Sequence, residues 1–446
     1  MTVGIVKLLA DVVGEAQLTR NIRLADASGL SGTVPLLAAP ADAEQVRKLV
    51  EVAYANNVAI IPVGGSSGLC GGIVPLDDPQ DRFQTTLAVS LHRLNRIRSF
   101  DPLLWRMEAE AGVRTATVAR LARENGLLFP PDPGAAEQSQ LGGNLATNAG
   151  GPHAFRYGVT SRWVTGVEAV IAPGELVRFG GPVRKDAAGY DLRGLLIGSE
   201  GTLGVITAAW LALTPAPEQS IPVAACYGTV AEGVDAIYAV MASGVTAAAL
   251  EYFQGRCLSC APPPFMDVQG AEMLVICEAQ SEDECTALTE SLGPGALRAD
   301  GVMLWRWRSG VSGAVRGALG EKLSEDIAVP LDRLQEAIER TVQLGAARGL
   351  EACSWGHGGD GNLHSTFMYD PSDALARASA QEAALELFEL ARELGGTVSG
   401  EHGLGLLKRG QLVGQWTDAA VGAHEAVKRA LDPKGLMNPG KKLARG

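Results

Sequence analysis

The sequence predicts an α+β protein of more than one domain, and three observations carry that expectation. At 446 residues the chain is longer than a single hydrophobic core usually organises, so two or three domains are expected. Its apolar segments divide into short compact runs, the mark of buried strands, and longer stretches with helical spacing. After Thr214, Pro215, Pro217 and Pro222 punctuate the chain where its character changes, which places a boundary between residues 215 and 216.

The elements follow in order. MTVGIVKLLADVVGEAQLTR interrupts its apolar residues with Lys7, Asp11 and Glu15, which suits an amphipathic helix rather than a signal-peptide core. ADAEQVRKLVEVAYANN sets Val46, Leu49, Val50, Ala53 and Tyr54 on one helical face, with Asp42 as N-cap and Gln45 in the capping-box position. VAIIPVGG reads as a buried strand that delivers a tight loop, and TATVARLAREN as a second helix closed by Gly126. From Pro130 to Gly158 the chain is rich in Gly, Pro and Asn, and a long irregular stretch of this kind is usually functional. Beyond the boundary, strand-like runs (PVAACYG, AAALEYF, EMLVICEAQ, VMLWRWR, EACSWGH, LHSTFMY) are interleaved with helical patterns near residues 230–242, 281–292 and 331–348. That order predicts an antiparallel sheet with helices on one face. From Gly395 the chain is glycine-rich again (GGTVSGEHGLG), and a helix and the tail LDPKGLMNPGK are expected to pack back on the first domain.

Charge and composition exclude several classes of function. Asp plus Glu number 50 against 38 Lys plus Arg, a net charge of -12, and no basic block stands out, so nucleic acid is not an expected partner. No window reaches the roughly 18 to 20 apolar residues that a membrane-spanning helix needs, and a cytoplasmic protein is expected. Seven cysteines, an odd number, fit a reducing compartment. Cys257 and Cys260 form one C-x-x-C with no second pair, followed at once by Pro262, Pro263 and Pro264, and read as unlinked thiols near a loop.

PVGGSSGLCGG, Pro62 to Gly72, can bring backbone N–H groups close to a pyrophosphate, with hydroxyl donors from Ser66 and Ser67. It lacks the Lys-Ser/Thr of a P-loop, and no helix clearly starts within it, so taken alone it is equally an ordinary turn. Three more segments offer only backbone N–H groups and small polar side chains: PPDPG at 130–134, LGGNLATNAGG at 141–151 and IGSEGTLGVIT at 197–207.

With RYG at 156–158 and GYDL at 189–192, these segments closely resemble the FAD domain of the vanillyl-alcohol oxidase and p-cresol methylhydroxylase superfamily. The resemblance runs over nearly the whole chain. It is closest to the branch of D-lactate and D-2-hydroxyglutarate dehydrogenases, whose later signatures match HGGDGNLH and SGEHGLG. It implies a non-Rossmann FAD domain of two α+β subdomains over residues 1–215 and a substrate domain, an antiparallel ferredoxin-like cap, over 216–394, with 395–446 returning to the FAD domain. Carried over by motif, Pro62, Val63, Gly64, Gly65, Ser66, Ser67, Gly68 and Leu69 would wrap the pyrophosphate. Pro131, Gly134, Gly142, Gly143, Asn144, Thr147, Asn148 and Gly150 would line the flavin and ribityl chain. Glu200, Gly201, Gly204, Val205 and Ile206 would hold the adenine side, and Asn438 of the tail joins the cofactor set. Relatives that tether the flavin covalently use a His in the first loop; this loop has none, so FAD is expected to be non-covalent.

His357 and His364 bracket GGDGNL, a segment suited to a hairpin turn, and two histidines opposite one another on paired strands would leave the same face of the sheet. Spacing alone fits equally a pair hydrogen-bonded near a turn. Glu401 and His402 lie in a glycine-rich segment where neighbouring side chains need not alternate. By resemblance, His357, His364 and Glu401 ligate a divalent cation, commonly Zn²⁺, and His402 is the general base. Two imidazoles and a carboxylate with open positions is also a catalytic-zinc pattern in its own right. Asp360 and Asn362 read as turn formers or as partners that orient a ligating His, with Asn362 also counted on the substrate side.

In LWRWRSGVS, Arg308 matches the family's substrate-binding Arg, and Ser312 stands where the hydroxyglutarate enzymes carry a Thr. Read as a strand, VMLWRWR would put Arg306 and Arg308 on one face, with Arg306 a solvated residue. The match loosens in KLSEDIAVP. Lys322 stands four residues before Asp326, where the family pattern has its Lys two before, at Ser324; and Thr366 replaces a family Asn. Both departures touch the pocket for the far end of the substrate.

The expected activity is oxidation of a D-2-hydroxy acid to the 2-oxo acid, with His402 as base and hydride transfer to flavin. D-2-hydroxyglutarate is the first choice and D-lactate or D-malate the next. The acceptor would be an electron-transfer flavoprotein, a quinone or another carrier, and a homodimer is compatible with the reading. An oxidase that reduces O₂ directly is the nearest alternative. A zinc hydrolase without flavin, or a non-catalytic binding protein, would leave the glycine segments or the retained base unexplained.

Overall fold

The computed structural model describes residues 3–76, 82–412 and 414–443. The chain divides into two compact units. The first holds Met1–Gly151, Val159–Ala216 and Glu401–Gly446, and the second Pro152–Gly158 and Pro217–Gly400. The return to the first unit therefore begins at Glu401 rather than Gly395, and a short piece around RYG belongs to the second.

The first unit opens with α1 (Val3–Val13), which buries Ile5, Leu9 and Val13 at helical spacing. Then come β1 (Leu18–Ala25), β2 (Ser31–Ala38), α2 (Ala43–Ala55), β3 (Val58–Val63) and β4 (Thr85–Ser90). Asp42 caps α2 by accepting from Gln45 N at 2.8 Å, while Gln45 Oε1 accepts from Ala41 N at 2.8 Å. The anticipated face of α2 is buried from Val46 to Tyr54. The strands form a sheet ordered β1-β2-β4-β3, in which β3 and β4 run parallel and end at the first glycine loop.

A second sheet takes β5 (Ile97–Asp101) and β6 (Arg106–Glu110). After α3 (Thr115–Arg123), the short β7 (Leu127–Leu128), α4 (Leu141–Thr147) and α5 (Ala154–Tyr157), it takes β8 (Val164–Ile171) and β9 (Glu175–Gly180). α6 (Leu192–Leu196) leads to its last strand, β10 (Val205–Ala212), and β11 (Thr214–Pro215) pairs with β7. The order β5-β6-β10-β8-β9 is antiparallel throughout. Two sheets with helices make the two α+β subdomains.

The second unit forms one antiparallel sheet of seven strands. In chain order its elements are β12 (Ile221–Tyr227), α7 (Val230–Ala242), β13 (Leu250–Gln254), α8 (Gly255–Cys260), β14 (Met273–Ala279), α9 (Glu282–Leu292) and β15 (Leu297–Arg298). They continue with α10 (Gly301–Leu319), β16 (Glu321–Ala328), α11 (Leu334–Ala346), β17 (Glu351–His357), β18 (Asn362–Tyr369) and α12 (Ala374–Glu393). The strand order is β15-β12-β14-β13-β17-β18-β16. Helices cover both faces rather than one. Trp307 of α10 packs on Phe253 with ring centroids 4.8 Å apart, whereas Thr341 of α11 meets Ser365 on the opposite face at 2.9 Å.

VMLWRWR is helical, not a strand. The W-R-W-R alternation imitates a two-residue period, but Leu304, Val311 and Val315 are the buried positions, a helical stripe, and Asp300 caps the helix by accepting from Met303 N at 2.7 Å. The polar-looking segment after it, EKLSEDIA, supplies the edge strand instead.

Returning to the first unit, the chain ends with α13 (Asp418–Leu431) and a tail that runs beside β3. Ile60 N donates to Leu436 O at 2.8 Å and Asn438 N to Ile60 O at 2.7 Å. Asp432 folds the approach by accepting from Leu436 N and Met437 N. All seven cysteines are free, so Cys257 and Cys260 are unlinked. Among the described residues, no helix is long and apolar enough to cross a membrane.

Buried charge organises the second sheet. Arg98 reaches Glu168 at 2.9 Å, Glu108 at 3.2 Å and Glu110 at 3.2 Å, and Arg96 adds a 2.8 Å contact to Glu110. Burial alone would raise Glu110 and Glu168, but the arginines outweigh it and hold both below the ordinary carboxylate value. A carboxyl depressed in the folded state stabilises above its unfolded pKa and loses that contribution as pH falls through the folded one. Arg98→Ala is expected to cost about 2–3 kcal/mol in urea unfolding at neutral pH. Its deficit against the wild type should shrink as the buffer is taken down from about pH 5, since protonated carboxyls no longer need the cation.

Candidate functional site

In the first unit, α4 is the hub on which the glycine segments meet. A Cβ on Gly64 would lie 3.5 Å from Gly143 Cα, and one on Gly65 would strike Gln138 O at 2.2 Å, so the loop after β3 lies directly on the approach to α4. Gln138 Nε2 donates to Gly65 O at 3.0 Å, and Ser66 takes a positive φ of 57° to make the turn. On its other side, Gly198 N and Glu200 N donate to Leu145 O and Ala146 O at 2.8 and 2.7 Å. A Cβ on Gly151 would meet Asp132 O at 2.5 Å, which brings in the Pro131–Gly134 stretch. The structure thus gathers segments that lie far apart in sequence, all within one unit.

The candidate side chains there divide by what they touch. Thr147 Oγ1 donates to Gly143 O at 3.1 Å, and Asn148, at φ 54°, accepts Ser161 N at 2.8 Å. Asn144 is buried and donates to Thr115 Oγ1 at 2.5 Å. Val205 and Ile206 begin β10 and are buried; Gly204 packs on Val170 O, and Gly201, at φ 72°, lies on Pro62. Gly134 and Leu69 are exposed, while Gly68 lies near Asp26. Glu200 does something the sequence did not show: its two carboxylate oxygens accept from Leu404 N at 2.9 Å and Gly405 N at 2.7 Å, clasping the returning segment. Asn438 Nδ2 donates to Glu200 O at 2.7 Å and Gly72 O at 3.0 Å.

Gln140 Oε1, Ser199 Oγ and Asn438 Oδ1 are buried on or beside these segments with no hydrogen-bond partner among the described residues. Left so, each would carry a desolvation penalty of about 1–3 kcal/mol. The two amide oxygens can only accept and so fit a ligand that brings N–H or O–H donors, while the glycines beside them let phosphates approach the backbone N–H groups; a dinucleotide offers both.

In the second unit, one face of the sheet carries the chemistry. His357 pairs in register with Asn362, and His364 with Trp355, so the two histidines are diagonal neighbours rather than opposite. Diagonal positions two residues apart still share a face, and the rings lie 5.3 Å apart, edge to face at 84°. Gly361, at φ 67° and with no room for a Cβ against Val329 O, makes the turn between them; Asp360 lies exposed in that turn.

Two buried carboxylates flank the pair, and the sequence reading assigned neither to the site. Glu251 on β13, opposite His357 in register, is fully buried; one oxygen contacts His357 Nδ1, and the other accepts from Arg308 Nε at 2.8 Å and Nη2 at 2.6 Å. Burial would raise its carboxyl, but the Arg308 guanidinium, with the hydrogen bonds from Arg308 and His357, prevails and holds it below the ordinary carboxylate range. Asp326 on β16, opposite His364, has a carboxylate oxygen within 4.8 Å of a His364 ring nitrogen and accepts from Asn362 Nδ2 at 2.6 Å. A carboxylate in the middle of AAALEYF was the one available signal for Glu251.

The remaining predicted residues fall as follows. Arg308 projects from a helix and engages Glu251; Ser312 lies one turn further on, half-buried; Arg306 is exposed. Asn362 directs its amide nitrogen at Asp326 and at Ile327 O, 2.8 Å away, an orienting role. Lys322 donates to Ser324 Oγ at 3.1 Å, and Ser324 Oγ meets Thr366 Oγ1 at 2.6 Å, so the two departures from the family pattern are bonded neighbours. Burial pulls the Lys322 ammonium below its ordinary pKa.

Glu401 and His402 are the first residues of the returning segment in the first unit. Glu401 lies against Gly150, where a Cβ would come within 2.7 Å of its carboxylate. The two residues preceding them, Ser399 and Gly400, are seated in the second unit. Ser399 Oγ donates to Asp326 Oδ2 at 2.9 Å, and Gly400 has no room for a Cβ beside Asn362.

Residues 34–180 match the model of an FAD binding domain and residues 216–442 that of FAD linked oxidases, C-terminal domain. The chain is 31% identical over 438 residues to the glycolate oxidase subunit GlcD of Bacillus subtilis, covering 91% of this chain and 88% of that one. It is 32% identical to the D-2-hydroxyglutarate dehydrogenase of Xanthomonas citri pv. viticola, over 91% of this chain and 88% of that one. The D-lactate dehydrogenase of Anaerostipes hadrus is 30% identical, over 89% and 87%. Among solved structures, p-cresol methylhydroxylase with substrate bound superposes with a TM-score of 0.76 at 14% identity, covering 99% of this chain and 97% of that one.

Gly65→Ala tests the loop. With a Cβ directed at Gln138 O, the variant is expected to fold but to retain about tenfold less flavin per mole of chain, read from the visible absorbance after gel filtration.

Proposed function

The chain belongs to the FAD linked oxidase family, with the fold of the vanillyl-alcohol oxidase and p-cresol methylhydroxylase superfamily, and from that premise we propose that it oxidises a D-2-hydroxy acid to the 2-oxo acid with a divalent cation at the site. The observation that carries the reading is the pair His357 and His364 on one sheet face, in a chain whose similar proteins are named for glycolate, D-2-hydroxyglutarate and D-lactate. D-2-hydroxyglutarate is the first choice of substrate.

The glycine segments would hold FAD non-covalently, and FAD would supply a two-electron acceptor for the hydride leaving C2. His357, His364 and Glu401 would hold the cation, Zn²⁺ by the donor set, which would supply positive charge that makes the substrate hydroxyl more acidic. The chain's own residues do the rest. His402, next to Glu401 in sequence, takes the hydroxyl proton on an imidazole nitrogen, the general-base role that histidine side chains most often fill. Ser399 and Gly400, seated on Asp326 and Asn362, tether the start of the segment that bears both residues. Arg308, Ser312, Lys322 and Asn362 form the substrate side. The hydrogen-bonded row Lys322, Ser324 and Thr366 faces the substrate's far end with one ammonium and two hydroxyls, which supports an acid with a polar tail over D-lactate.

An anaerobic titration of the purified protein with D- and L-2-hydroxyglutarate, D-lactate, D-malate and glycolate tests the proposal. Bleaching of the flavin by a D-acid, abolished by a chelator and restored by Zn²⁺, is expected; indifference to the chelator removes the cation, and indifference to every acid removes the activity. His402→Asn should lower kcat by about 10²–10⁴-fold with a much smaller change in KM. Oxygen uptake during turnover separates an oxidase from a dehydrogenase.

A further inference from the structure

We propose that Glu251 is a positioning residue for this site: its carboxylate fixes the imidazole proton of His357 on Nδ1, so that Nε2 offers its lone pair to the cation, and it secures Arg308 by the same group. The proposal rests on the function given above, since it concerns how one of that site's own ligands is held.

The geometry is specific. Glu251 and His357 are direct partners in the β13–β17 register, which leaves the carboxylate one strand away from the ring. One oxygen faces His357 Nδ1, and the other takes two hydrogen bonds from the guanidinium of Arg308. Glu251 has no exposure to solvent, and Leu250, Tyr252 and Phe253 around it are buried apolar residues. A carboxylate placed there is costly unless both oxygens are satisfied. An ionised carboxylate only accepts, so the ring nitrogen facing it must carry the proton, and the other nitrogen is then the basic one. Metal-binding histidines are commonly held in this way, and loss of the holding group costs about 10–100-fold in metal affinity. Arg308, which by resemblance is a substrate fork, is on this account also the partner of the second Glu251 oxygen.

The competing account is that Glu251 and Arg308 only pin α10 to the sheet. Protein labelled with ¹⁵N-histidine and stripped of metal distinguishes the two, because the tautomer of each ring is read directly from long-range ¹H–¹⁵N spectra. His357, assigned by the signal lost in His357→Gln, is expected as the Nδ1–H form in the wild type and as a tautomer mixture in Glu251→Ala. Zn²⁺ affinity, measured by competition with a chromophoric chelator, should fall about 10–100-fold in Glu251→Ala and at least about tenfold in Glu251→Gln, which keeps the shape of the side chain and serves alone if the alanine variant does not fold. Variants that lose thermal stability but keep the wild-type tautomer and bind Zn²⁺ within about twofold of the wild type would overturn the proposal, as would a wild type that takes up no Zn²⁺. A wild type that oxidises no hydroxy acid, yet whose tautomer and Zn²⁺ affinity depend on Glu251, would remove the proposed function and leave this inference standing.

Discussion

A carboxylate wholly out of water is costly unless hydrogen-bond donors close around its oxygens, and in this chain that constraint shapes several long-range connections. Glu251 obeys it with Arg308 and His357, Glu200 with the backbone of Leu404 and Gly405, and Asp326 with Asn362 and Ser399. In each case the pairing joins stretches far apart in sequence. A wrong register would leave a buried carboxyl without its donors, so these groups specify one arrangement of strands and loops as well as stabilising it.

Much of this was legible in the sequence. The capped helix at Asp42, the strand ending in the first glycine loop and the helices near 230–242 and 281–292 follow from caps and periodicity, and each forms as the local chemistry dictates. The hairpin bearing His357 and His364 was also legible, because glycine, Asp and Asn between two apolar runs permit little else. What the sequence concealed has physical causes. Alternating Trp and Arg at 305–308 imitate a strand, and only the spacing of Leu304, Val311 and Val315 over more than three turns reveals the helix. Glu251 was hidden because its partners lie 57 and 106 residues away, beyond any local pattern. Glu200 stood in a recognisable glycine motif, but its role as a clasp depends on the returning segment.

The bonded row of Lys322, Ser324 and Thr366 holds both departures from the family resemblance without leaving a polar group stranded. Ser324 and Thr366 face one another across β16 and β18, so shortening one side chain and altering the other leaves two hydroxyls that satisfy each other at 2.6 Å. The ammonium is displaced by two positions along the same strand, and therefore stays on the same face. On the proposed function, an ammonium kept on that face at a different distance would tune substrate length without altering the chemistry at C2.

The tail that runs beside β3 has a consequence for synthesis of the chain. Tyr54 and Asp432, which help to seat that tail, are 378 residues apart. At roughly 5–20 residues per second, a ribosome takes about 20 to 75 s to make what separates them. Through that interval β3 has one side without its eventual neighbour, while the second unit, continuous from Pro217 to Gly400 apart from one short segment already made, has its strands to hand. The order of emergence thus favours closing the inserted unit first and sealing the flavin-binding unit last, so the nascent chain carries an open strand edge for longer than its finished form would imply.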